Sequence, residues 1–162
     1  MLSENKAEIV AKWLEETLRI FHESSVNYLL HSQDQFQNPV GYRLREGLGI
    51  LFDDLVLSEN KAAAHNALED IIRIRAVQGV SASQAVAFVH RLKYIVRAEI
   101  PDAAAHFPDE YAALELHIDE LGLTALDLFM KCRKQINEAR INENRRLNFV
   151  RNLGASASRR QK

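Results

Sequence analysis

Cysteine is almost absent from this sequence: Cys132 is the one thiol in 162 residues. It builds no disulfide framework and no multi-cysteine metal site within one chain. No apolar run approaches the ~20 residues that a membrane span needs. The N-terminus, MLSENKAEIVAKW, is charged and helical in pattern, unlike a secretory signal. The expected location is therefore a reducing cytoplasm. Clean alternation with β-branched residues is also missing, which removes strands and any phosphate loop between strand and helix. The three prolines and six glycines are few and sit mostly where helices would end. Among the six histidines there is no His-Glu-x-x-His pattern and no close pair.

Helical periodicity is what the sequence does have. Apolar (47%) and charged (27%) fractions match a globular domain. The spacing of Ile9, Trp13, Leu14, Leu18 and Phe21 predicts a first helix from about Glu4 to Tyr28, capped by Ser3. SQDQFQN (32–38) reads as a loop. Asn38 and Pro39 are cap and first-turn residue of a second helix, striped by Leu44, Leu48, Leu51 and Leu55. Gly41, Gly47 and Gly49 within it imply close packing of another backbone or a local break. A third helix runs from Lys61 to Gln78 and stops at Gly79. Ser81 and Gln84 form a capping box for a fourth, which Pro101 ends. From Pro108 a helical pattern persists to about Leu153, roughly 65–70 Å of helix. The fold class is all-α, a bundle of five or more helices with a long last helix. Residues 1–153 read as one domain and 154–162 as a disordered basic tail.

Charge divides along the chain. Residues 131–162 carry ten Lys/Arg against two Asp/Glu, whereas residues 1–130 carry eleven against twenty. A basic end on an acidic body fits an acidic partner surface. Only Phe149 offers an aromatic there, so specific nucleic-acid binding is not expected. Without a partner, the same run is a solvated helix face. On the last helix Leu114, Ile118, Leu121, Ala125 and Leu128 alternate spacings of three and four, a seam for a second copy. Leu116, Leu123, Leu126 and Met130 add apolar surface on other faces, and Gly122 is a candidate kink. Arg75 falls on the apolar face of its helix, where a guanidinium needs a partner. Glu46 or the Asp53/Asp54 pair can supply one, as a structural ion pair. Alternatively, Arg45, Glu46, Arg75 and Gln78 line a pocket for a small ligand or a docking surface. His90 points about 150° away from its helix's core face and reads as solvated. His65 and His117 lie closer to apolar faces. Cys132 reads as a packed thiol, although Lys131, Arg133 and Lys134 beside it can favour a thiolate.

Three blocks in order, QDQFQNPVGYRLREGLGILFDDL (33–55), IIRIRAVQGVSASQAVAFVHRLKYIVR (71–97) and IDELGLTALDLFMKCRKQINEARINENRR (118–146), resemble the RsbRD-type N-terminal domain family. These sensory domains are related to the N-terminal half of RsbR stress-response proteins. The resemblance implies a globin-like bundle without haem or other cofactor, no enzymatic activity, and a homodimer formed through terminal helices. It also implies a last helix that hands a signal to a regulatory protein partner. In RsbR-type proteins that helix leads into a STAS domain, whereas this sequence ends at Lys162. The expected output is then a non-covalent partner gripping Lys131, Arg133, Lys134, Arg145 and Arg146. The competing expectation is an accessory protein that binds a small molecule or a tetrapyrrole.

Overall fold

The computed structural model describes residues 2–159 apart from 22, 32, 33, 35 and 59, and their side chains apart from those of 23, 24, 31, 150 and 152–159. The elements are α1 (Lys6–Leu18), α2 (Glu23–His31), α3 (Pro39–Leu57), α4 (Lys61–Val77), α5 (Ala82–Glu99), α6 (Ala103–His106) and α7 (Pro108–Arg159). Among the described residues all regular structure is helical.

The expected first helix is two helices. Its N-cap is Asn5 rather than Ser3, and α1 stops at Leu18. In an unbroken helix the Thr17 carbonyl would accept the amide of Phe21. Instead Phe21 N–H donates to Leu18 O at 2.9 Å. Thr17 O takes the guanidinium of Arg75 from α4. A side chain from a distant helix thus replaces the backbone donor and ends α1.

The other helix boundaries follow local chemistry. The Asn38 side chain, 1% exposed, accepts from Gly41 N–H at 2.9 Å and donates to Leu29 O at 3.0 Å. It therefore starts α3 and fastens the end of α2 to it. Ser58 ends α3 in the left-handed region, its amide donating to Asp54 O. Asn60 then caps α4 through Ala63 N–H. Gly79, with φ +74°, closes the turn after α4. The Ser81–Gln84 capping box opens α5. Pro101 and Pro108 bracket the short α6, which periodicity did not reveal because one turn has no period.

Trp13, Leu48, Phe52, Leu68, Ile72 and Phe88 are all nearly or fully buried in one core. The helices pair as α3 with α4, α5 with α7, and α4 with α7, while α1 lies against α3 and α5. The Lys12–Glu99 ion pair ties α1 to α5, and Lys6–Asp53 at 2.7 Å ties α1 to α3.

The helix α3 is unbroken, and its glycines divide by role. A Cβ on Gly41 would fall under 3.0 Å from Asn38 and from the Leu29 carbonyl oxygen, and one on Gly47 would meet Ile71 at 3.2 Å. These two permit close approach. Gly49 has nothing within 4 Å of such a Cβ and lies mid-helix. Gly49→Ala is expected to raise stability by about 0.5–1 kcal/mol, read as a higher urea midpoint with an unchanged m value.

Candidate functional site

Pro108 opens α7, and Asp109 and Glu110 in its first turn suit the positive end of the helix dipole. The helix runs unbroken through Gly122. A Cβ there would lie 2.7 Å from the His90 ring, so the glycine lets α5 and α7 close on one another. His90 itself is half exposed, 3.7 Å from Asp119.

Leu114, Ile118, Ala125 and Leu128 are buried, Ala125 completely, and Leu121 is partly buried against the same core. The chain's own bundle, through α4 and α5, covers this face. The expected dimer seam is therefore an interior seam, and that expectation is corrected. The period identified an apolar stripe but not its neighbour. Cys132 is buried at the end of the same stripe.

The opposite side of α7 carries a second stripe. Leu116, Leu123 and Met130 recur every seven residues and are 58%, 67% and 58% exposed. At 100° per residue they lie about 140–180° around the helix from Ala125. Ile141 continues the stripe and is also exposed. Beyond Ile136 every described side chain of α7 is exposed. From residue 137 the helix continues for roughly 33 Å to Arg159. It is helical beyond Leu153, and residues 160–162 of the expected tail lie outside the described residues.

The five expected contact cations split into two groups. Lys131 pairs with Glu69 of α4 at 3.4 Å. Arg133 donates to the Ala76 carbonyl at 3.1 Å, satisfying one of the free acceptors at the end of α4. These two hold α7 to its own bundle. Lys134, Arg145 and Arg146 are exposed and belong to the outward surface.

The expected polar pocket does not assemble. Arg75 is 2% exposed and, among the described residues, pairs with no carboxylate. Its guanidinium donates to the carbonyls of Thr17, Gln84 and Ala85, the last at 2.6 Å, and lies 4.8 Å over the Phe88 ring. Burial lowers it to about 10, still charged at neutral pH. Arg45 serves a different junction, donating to Leu30 O at 2.9 Å. Glu46 and Gln78 are exposed. Asp53 is taken by Lys6, so the expected ion pair to Arg75 is replaced by a carbonyl cage. Sequence showed that Arg75 was anomalous but not that main-chain oxygens from two other helices would receive it.

His65 and His117 meet at a cavity of about 250 Å³ between α3, α4 and α7, which Asp54 and Glu120 also line. Asp54 Oδ1 there is buried without a hydrogen-bond partner among the described residues. That volume is below the roughly 300–1,000 Å³ of drug-sized sites, and both histidines are exposed, so the pair does not enclose a tetrapyrrole. Among the described residues no group of three or more His, Cys, Asp or Glu is placed to hold a metal, and no helix is long and apolar enough to cross a membrane.

No curated protein and no solved structure matches this chain. A family match does exist, to the RsbT co-antagonist protein rsbRD N-terminal domain, and it runs from α1 into the projecting part of α7. With residues 7–144 covered by that match, this chain, helical throughout the regular structure of its described residues, belongs to the rsbRD N-terminal domain family.

Proposed function

We propose that the protein is a sensory and regulatory domain that pairs with a second copy through the outward stripe of α7 and passes a change in that helix to a protein partner. One observation carries this reading: α7 has two apolar faces, and its own bundle covers one of them. Leu116, Leu123 and Met130 have the seven-residue spacing of a two-stranded seam. Asn137 and Asn144 continue that register, and an Asn at such a position fixes pairing and alignment at some cost in stability. A single projecting helix of this length gains little from its own hydrogen bonds, so packing against a second helix stabilises it. Lys134, Arg145 and Arg146 then face outward for an acidic surface. The family's description as RsbT co-antagonist makes a regulator of that kind the candidate partner.

Light scattering on the full chain is expected to give twice the 18.5 kDa protomer mass at micromolar concentration. Leu123→Glu with Met130→Glu is expected to weaken pairing at least 100-fold, about 2.7 kcal/mol, while leaving the bundle's own unfolding unchanged. A wild-type monomer at high micromolar concentration refutes the dimer. Truncation after Gln135 is expected to abolish capture of the regulatory partner.

A further inference from the structure

A second cavity, of about 240 Å³, lies where α5, α6 and the root of α7 meet. Its walls are Val96, Ile100, Ala103 and Leu114, all buried core residues. The cavity exists because the chain reverses twice in a few residues. Pro101 ends α5, the one-turn α6 crosses, and Pro108 starts α7. One turn of helix presents only Ala103 inward, too little to fill the space between two longer helices. Phe107 and Tyr111 form the rim, and Leu2 closes it from the N-terminal side. Phe107 is 44% exposed, a large aromatic edge left in water at the mouth.

The chemistry of the lining restricts what can enter. Space walled by apolar side chains holds water poorly, and a cavity of about 150 Å³ of this kind takes benzene. By the same measure this one takes a molecule of roughly ten non-hydrogen atoms. Glu110 is the one charged side chain among the described lining residues, and the Tyr111 hydroxyl is the one neutral polar group. The neighbouring cation, Arg97, is engaged by the Tyr111 hydroxyl and by Glu115, the latter at 3.3 Å.

From this we propose that the cavity is a binding site for a small apolar amine, its hydrocarbon body among Val96, Ile100, Ala103 and Leu114 and its ammonium group on Glu110. The site does not depend on the sensory reading. Its use as the signal input does rest on that reading, because Phe107 precedes α7, while Glu110, Tyr111 and Leu114 occupy its first two turns.

Titration of the full chain with 2-phenylethylamine, 2-phenylethanol and 3-phenylpropionate tests the site, followed by NMR and calorimetry. The amine is expected to shift the methyl resonances of Val96, Ile100 and Leu114 and to bind at least tenfold tighter than the carboxylate. Glu110→Gln, at an exposed position, is expected to remove that preference and leave the alcohol's binding unchanged. Ala103→Leu is expected to fill the cavity, raise the unfolding temperature and abolish binding of all three. Absence of methyl shifts at millimolar amine would overturn the proposal. So would equal affinity for amine and carboxylate, or an amine preference that survives Glu110→Gln. Light scattering on the same samples separates this outcome from failure of the dimer reading, since an empty cavity leaves the protomer mass measurement unaffected.

Discussion

Replacing Arg75 by Met is expected to destabilise the domain by about 3–5 kcal/mol, the largest effect of any single polar substitution here. Methionine fills much of the same space but donates nothing. The Thr17 carbonyl, on a residue 0% exposed, is then left without the guanidinium and without an amide. The carbonyls of Gln84 and Ala85 lose their second donor, and the Phe88 ring loses the cation 4.8 Å above it. A cation at the end of α1 also suits the negative end of that helix, and this contribution goes too. Urea unfolding followed by circular dichroism should show the midpoint falling by about 2 M for an m value near 2 kcal/mol/M. Arg75→Lys keeps the charge but cannot fork to three acceptors, and should fall between wild type and Met. If the Met variant unfolds within about 0.5 kcal/mol of wild type, the cage contributes nothing. The Phe21 amide supplies a local readout, because freeing Thr17 O lets α1 continue and changes the protection of that amide from exchange.

Trp13→Ala is expected to cost a similar amount, about 3–5 kcal/mol, by a different route. Trp13 is fully buried, stacked on Phe88 with ring centres 6.1 Å apart. Its indole N–H donates to the Phe88 carbonyl at 2.8 Å. Truncation leaves a cavity at the meeting of α1 and α5 that a rigid bundle fills only in part. Trp13→Phe keeps one aromatic ring but loses the donor and part of the indole volume, and should cost less than the alanine variant, about 1–3 kcal/mol. Trp13 and Arg75 share Phe88 as a neighbour. Their combined loss should therefore depart from additivity by more than about 0.5 kcal/mol in a double-mutant cycle.

Local chemistry was the legible part of this fold. Asn38 with Pro39, Ser81 with Gln84, Gly79, Pro101 and Pro108 each mark a helix boundary through their own backbone preference or side-chain hydrogen bond, and the helices begin and end there. The break after Leu18 has no such mark. It is imposed by a residue 58 positions away, and no local window contains Arg75. The long helix posed a different difficulty. Both of its stripes are apolar and both have helical spacing, so pattern alone cannot say which stripe meets α4 and α5. Small residues decide it: Gly122 and Ala125 allow close packing of neighbouring helices, while Leu116, Leu123 and Met130 stand out from the surface. The signal was present in residue size rather than in hydrophobicity. The Arg45, Glu46, Arg75 and Gln78 cluster failed for a third reason. Residues near one another in sequence on α3 and α4 point to different sides of those helices.

The geometry of α7 also sets a gear ratio. Its first turns are seated against α6, its middle is held by α4 and α5, and roughly 33 Å of it continues past Ile136, where the described side chains are exposed. A rigid rod pivoting about its middle turns a small displacement at one end into a comparable or larger one at the other. A tilt of about 5° moves the tip by roughly 3 Å over that length, enough to shift side chains across half a helical turn of a facing chain. In the proposed pair, two such rods clasped along one side would not tilt independently, and movement at either root would be felt by both tips. The bundle is in this sense a bearing, and the length of the helix beyond it determines how far a small event at the root is carried.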